Sequence, residues 1–204
     1  MKIIVLLSFF GIVTNAFRFL PNGITRCLYL YSKTDLDTDK FFTGRWHVTH
    51  AKNGSRSAVC REYTASKAGG FVELIGDGYY NVGLKRNYLQ VDCRGCAKKN
   101  QFNQFTLNCT QKIPSSDPYR FIVDFGLELT VIETDYDSFA IIYMCTMFPQ
   151  LGSFFNDDLL ILHRDKRMAS YPDPQVEAFL QAEYKFQLKS FRVRDNNYCL
   201  NLSI

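Results

Sequence analysis

Phe41-Phe42-Thr43-Gly44-Arg45-Trp46-His47-Val48 is the stretch whose reading decides the fold. Gly44 lacks a Cβ, so the backbone can turn tightly there out of a short helical lead-in. Trp46 then opens a run of strand character. The rest of the chain repeats that rhythm, with short β-branched and aromatic runs separated by turn-rich pieces. Strands are predicted near Trp46–Ala51, Ala58–Ala65, Phe71–Tyr80, Asn87–Cys93, Phe102–Thr110, Arg120–Ile132, Ser138–Thr146 and Asp158–Arg164. Eight antiparallel strands in a meander can close on themselves, which removes exposed sheet edges. A closed barrel of that size leaves an interior for about one small ligand. The predicted fold is therefore all-β, an eight-stranded antiparallel barrel, and its architecture implies a container.

One helix follows the barrel. Asp173 caps it, Pro174 suits its first turn, and Val176, Phe179, Leu180 and Tyr184 recur at helical spacing on one face. This helix is expected against the outside of the barrel, with Phe186–Val193 adding a further strand to the wall. Asp157-Asp158 reads as a loop edge that stops the last barrel strand.

The N-terminus has a positive start at Met1-Lys2, an apolar run from Ile3 to Val13 and a small-residue exit at Thr14-Asn15-Ala16. That is the pattern of a secretory leader cut after Ala16. The expected division is a signal peptide over 1–16 and one binding domain over 17–204. No later window reaches about 18 uninterrupted apolar residues, so no membrane anchor is expected. Without Lys2 the chain has 23 basic and 20 acidic side chains, a balance of +3, too mild to argue for nucleic acid. Arg94, Lys98 and Lys99 read as a solvated hairpin tip. A soluble, secreted monomer is expected.

Seven cysteines in a secreted chain point to a disulfide framework with one thiol left over. Six paired cysteines allow 15 connectivities, and spacing alone does not choose among them. Cys93 and Cys109 flank a hairpin with a polar tip, which suggests one pair and makes Cys96 the odd thiol. A redox or zinc role for Cys93-Arg94-Gly95-Cys96 would need a strand–helix context or further ligands, and neither is visible in the sequence. Sequons stand at Asn53, Asn108 and Asn201.

Further segments sharpen the reading: Val59-Cys60-Arg61-Glu62-Tyr63, Asp77-Gly78-Tyr79-Tyr80, Thr134-Asp135-Tyr136, Phe148-Pro149-Gln150-Leu151-Gly152-Ser153, and Ile161-Leu162-His163-Arg164. With Gly44 to Lys52 they make the chain resemble the lipocalins, and among them the triabin/procalin-type salivary lipocalins of blood-feeding bugs, pallidipin-like in pattern. The resemblance covers nearly all of the mature chain. It implies a lipocalin (calycin) barrel whose narrow end is closed by Trp46, with Arg164 lying over the indole as a cation–π lid of roughly 1–2 kcal/mol, and a characteristic turn at Thr134, Asp135 and Tyr136. It also implies the disulfides Cys27–Cys145, Cys60–Cys199 and Cys93–Cys109. Cys96 has no partner in that pattern, which leaves open whether Cys93 or Cys96 bonds Cys109.

That pairing sets strand faces. If Cys60 and Cys145 point outward to reach the chain ends, alternation puts Val59, Arg61 and Tyr63 opposite Cys60, and Met144 and Thr146 opposite Cys145. An inward guanidinium in an apolar cup is costly unless an anion meets it, and its fork suits a carboxylate. Arg61 is therefore the candidate anchor, with Tyr63, Tyr79, Tyr80 and Met144 as candidate pocket residues; the bland alternatives are that Arg61 pairs with an internal carboxylate or that its head escapes to solvent.

The leading functional expectation is stoichiometric capture of a small hydrophobic anionic ligand such as an eicosanoid of the thromboxane type, blunting platelet aggregation and impairing host haemostasis. The alternative is a protein-surface inhibitor of host coagulation or contact-phase factors. Amine binding would use carboxylates such as Glu73 or Asp77, which read more simply as the solvent face of their strand. A haem or nitric oxide carrier needs a barrel histidine, and His47, His50 and His163 all fall outside the Cys60–Cys145 stretch where such a ligand would lie. The usual hydrolase, phosphate-loop and zinc-helix motifs are missing. No enzyme activity, catalytic residue, metal or cofactor is expected.

Overall fold

The computed structural model describes residues 24–56, 58–82, 85–99, 101–112, 123–149 and 154–199. The expected leader over 1–16 and the sequon at Asn201 lie outside the described residues. A short helix, α1 (Thr38–Phe41), is capped by the Asp37 carboxylate, which accepts from the Asp39 and Lys40 amides. Gly44 then takes a left-handed conformation, φ +74°, open to glycine at little cost, and β1 (Gly44–Ala51) begins.

Seven further long strands follow: β2 (Glu62–Ala68), β3 (Phe71–Val82), β4 (Lys85–Lys98), β5 (Gln101–Lys112), β6 (Val123–Thr134), β7 (Phe139–Phe148) and β8 (Phe154–His163). Each pairs antiparallel with the next, and β1 bonds both β2 and β8. The eight-stranded antiparallel barrel is closed. Several expected boundaries differ from those observed, β4 for one running past Cys93 to Lys98, and two of the differences bear on the interior. Ala58–Cys60 forms a single 3-10 turn rather than strand, and Asp157 and Asp158 lie inside β8 rather than at its end.

Alternation along the strands separates two cores. Inside the barrel are Phe42, Trp46, Val48, Tyr63, Leu74, Phe105, Leu127, Leu129, Met144 and Leu162 among others. Outside the wall a second cluster joins Ile141, Tyr143, Ile161, Val176, Leu180, Leu188 and Phe191. It seats α2 (Pro174–Phe179), whose N-terminal amides at Gln175 and Val176 donate to the Asp173 carboxylate. Of the expected strand over 186–193, only β9 (Arg192–Val193) pairs, with β1; Leu188–Ser190 turns helically so that Leu188 and Phe191 can enter the outer core.

Three disulfides tie the chain ends and one hairpin to the barrel. Cys27 bonds Cys145, Cys60 bonds Cys199, and Cys93 bonds Cys109. Strand geometry decides the last pair: Cys93 and Cys109 are directly opposed across β4 and β5 and face the interior, whereas Cys96, an odd number of residues away, opposes Thr106 on the outer surface. The segment before α1 crosses the outside of β6, β7 and β8, through an Ile24–Phe155 bridge, the Cys27 bond and the Lys33 amide donating to the Val131 carbonyl.

Candidate functional site

The narrow end of the barrel is shut. Trp46 is fully buried, its indole N–H donating to the Phe41 carbonyl at 3.1 Å, with Phe41 and Phe42 packed beside it. The Arg164 guanidinium caps the ring and donates to the carbonyls of Thr43, Arg45 and Tyr136. The turn at Thr134, Asp135 and Tyr136 closes the same end: Asp135 accepts from the Ser138 and Phe139 amides, and the Tyr136 hydroxyl accepts from the Asp37 amide. Any ligand must therefore enter from the other end, where β1 and β7 end and β8 begins.

Toward that open end the interior holds a cavity of about 230 Å³. It falls just under the roughly 300–1,000 Å³ of sites that enclose a drug-sized ligand, so it suits a slender chain or one end of a longer molecule. Its wall is mostly apolar, with Leu74, Val91, Phe125, Leu127, Met144 and Phe148, and its polar groups are Arg61, Tyr63, Gln111, Thr146 and Asn156. Arg61 is the cation of this lining. Among the described residues the lining contains no carboxylate and no histidine.

Each anchor has a local reason for its position. Tyr63 opposes Trp46 across β1 and β2 and so faces inward, while its neighbour Glu62 faces out. Arg61 follows the 3-10 turn, its carbonyl accepting from the Val48 amide at 3.0 Å and from Arg194 at 3.4 Å. Met144 and Thr146 lie on the inward face of β7, with Tyr143 and Cys145 facing out. Arg61, Tyr63 and Met144 thus meet at one cavity. Tyr79 and Tyr80 belong to β3, but their side chains lie outside what is described.

Asp158 is the residue that sequence reasoning misplaced. It opposes Met144 across β7 and β8 and shares the inner face of β8 with Asn156. Burial pushes its carboxyl up to about 6, against the pull of the Asn53 amide and the Arg61 charge. The Asn53 N–H donates to it at 2.9 Å. Gly54 makes this approach possible: a Cβ there would come within 2.7 Å of the Asp158 carboxylate and 2.6 Å of the Ala51 Cβ. The every-second-residue series Asn156, Asp158, Leu160, Leu162 was the available signal.

The carboxylates and histidines considered for other ligands lie elsewhere. Glu73 pairs with Arg94 on the outer surface, and Asp77 accepts from Tyr88 and Gln90. His50 and His163 belong to a buried chain on the outside of the wall, where Thr49 Oγ1 is 2.7 Å from His163 Nδ1 and His163 Nε2 is 3.0 Å from Asp173. His47 stands 3.2 Å from Glu62, which also takes the buried guanidinium of Arg194 at 2.8 Å. Burial raises the Glu62 carboxyl, but His47 and Arg194 outweigh it and hold it below its ordinary range.

Comparison with known proteins adds a family. A family model described as Triabin matches residues 16–177. Triafestin-1 and triafestin-2 of Triatoma infestans are 39% and 40% identical, each alignment covering 96% of this chain and 92% of the relative. Pallidipin of Meccus pallidipennis is 28% identical over 89% of each chain. Among solved structures, a biogenic amine-binding protein superposes with a TM-score of 0.60 at 15% identity, covering 85% of this chain and 93% of its own. LTBP1 in complex with LTC4 gives 0.54 at 21% identity, covering 86% and 96%. These likenesses establish a lipocalin barrel.

Proposed function

This chain belongs to the Triabin family, and we propose that it is a secreted salivary lipocalin that captures a small lipid mediator of the thromboxane or eicosanoid type, so inhibiting platelet aggregation and impairing host haemostasis. The observation that carries this reading is Arg61 on the wall of a largely apolar cavity. A long apolar tail fills such a wall, and a single carboxylate meets the guanidinium fork. The action is stoichiometric: the protein removes its ligand and performs no chemistry on it. The three disulfides and the leader pattern support an extracellular site of action.

The solved structures that share the barrel include both an amine binder and a leukotriene C4 complex. The lining favours the anion here, because its charged group is a cation and the carboxylates that an amine would need, Glu73 and Asp77, face outward. A second reading, inhibition of a coagulation or contact-phase protein through the outer surface, draws on the exposed side chains of Leu28, Tyr29 and Tyr31 on the crossing segment.

The test is calorimetric titration of the mature protein with a stable thromboxane analogue, leukotriene C4, histamine, serotonin and ADP. Tight one-to-one binding of a lipid acid with silence from the amines and the nucleotide supports capture. Tight binding of an amine instead overturns it, and silence throughout leaves the outer surface as the working part.

A further inference from the structure

Beside the cavity, on the same inner face but not in its lining, stands a second charged group that none of the family likenesses assigns. We propose that Asp158 is the resident counter-charge of Arg61 and sets both the strength and the pH dependence with which the cup takes an anionic lipid; this rests on the capture reading above.

The geometry comes from three elements. Arg61 lines the cavity from the position between the Ala58–Cys60 turn and β2. Asp158 stands on the inner face of β8, two residues from Asn156 and across from Met144, both of which line the same cavity. The β1–β2 connection closes over the carboxylate, with the Asn53 amide donating to it and Gly54 pressed against it. Arg61 is the cation that acts on the ionisation of Asp158, and Arg192 nearby donates instead to the Gly54 carbonyl at 3.0 Å. β7 presents Met144 and β1 presents Ala51, neither of them ionisable, while Lys52 sends its ammonium away to Ser190. On its own strand Asp157 faces outward to the Tyr143 hydroxyl, and its negative charge only opposes ionisation of Asp158.

An arriving carboxylate must then share Arg61 with a carboxylate already there. At pH 8 the resident group is ionised and competes; as the pH falls toward 6 it takes a proton, and its competition with the ligand for Arg61 fades. Binding of an anion loosens the hold of Arg61 on Asp158 and so raises the affinity of Asp158 for a proton. Linkage makes the two effects reciprocal. Capture near pH 6.5 should therefore draw a proton from buffer, while an uncharged form of the same lipid should not.

The experiment has two arms on the full mature chain. In the first, without ligand, the side-chain carboxyl of Asp158 is titrated by carbon NMR in the wild type and in Arg61→Gln. The proposal expects the midpoint to rise by about one unit when the cation is removed; an unmoved midpoint overturns it. In the second, a stable thromboxane analogue is titrated calorimetrically as free acid and as methyl ester, at pH 8 and pH 5.5, and at pH 6.5 in two buffers of different ionisation enthalpy. The acid should bind about tenfold tighter at the lower pH and with net proton uptake, the ester without either, and Asp158→Asn should hold the tighter affinity at both pH values. Should Asp158→Asn fail to fold, proton uptake by the wild type decides the same point. Acid binding that is independent of pH and free of proton uptake overturns this inference alone. Failure of both acid and ester to bind overturns the capture reading, and with it any role of the pair in ligand selection.

Discussion

The guanidinium carbon of Arg164 lies 3.4 Å from the ring centroid of Trp46. The contact is more than a stacked pair, because the same side chain donates to carbonyls on both sides of Gly44 and to the Tyr136 carbonyl of the opposite turn. One residue thus joins the N-terminal lead-in, the first strand and the β6–β7 turn. Arg164→Ala should cost about 2–3 kcal/mol, from the lost cation–π contact and the carbonyls left without a donor. Arg164→Lys should recover less than half, since an ammonium cannot reproduce the planar fork. Urea unfolding followed by fluorescence of Trp46, the one tryptophan of the chain, measures both.

The Arg194–Glu62 pair makes a second prediction. Arg194 is 4% exposed, and besides Glu62 it donates to the Val59 carbonyl at 3.1 Å and touches the carbonyl of Arg61. Arg194→Met should destabilise by about 3 kcal/mol, because the buried Glu62 loses its nearest cation and is left with the more distant His47 and Arg45, while the Val59 carbonyl loses its donor; Glu62→Leu with Arg194→Met should regain much of the loss. A double-mutant cycle in urea supplies the comparison.

Acid should weaken the fold through the outer histidines. Burial holds His50 down to about 4 and His163 below its ordinary value as well, although Asp173 pulls the latter up. In the unfolded chain both titrate near 6.5. Between that pH and about 4 the unfolded chain binds more protons, so stability is full above 6.5 and falls as the pH drops through the window. The raised Asp158 carboxyl works in the opposite sense below about 6, so the profiles are compared in an Asp158→Asn background. There urea midpoints at half-unit steps from pH 7.5 to 4 should decline below 6.5, with a shallower decline when His50→Gln is added. A flat profile in that background would contradict the burial of these rings.

Cys96 is exposed and outside the three bridges. One thiol per folded chain should react with an aromatic disulfide reagent without denaturant, and Cys96→Ser should abolish that reaction. The substitution should shift stability by no more than about 0.5 kcal/mol, as for other surface positions.

The barrel was legible in the sequence because its signals are local: the Gly44–Trp46 pair, the strand rhythm, and a capped helix at Asp173-Pro174. The cup was half legible. Alternation placed Tyr63 and Met144 inward, and it placed Arg61 there too, although the 58–60 segment is a 3-10 turn rather than the strand on which that reasoning relied. Asp158 was lost because adjacent aspartates resemble a strand end; only the register with β7 reveals that Asp157 serves the outer wall and Asp158 the interior. The Arg194–Glu62 pair joins residues 132 apart in sequence and has no local signature.

The most direct test of the central claim is the affinity of one lipid acid for two proteins. A stable thromboxane analogue should bind the wild type one-to-one and bind Arg61→Ala at least about tenfold more weakly, while the two proteins unfold at matching urea concentrations. Equal affinity for both, or no binding to the wild type, would contradict the account of Arg61 as the anchor of an anion-capturing cup.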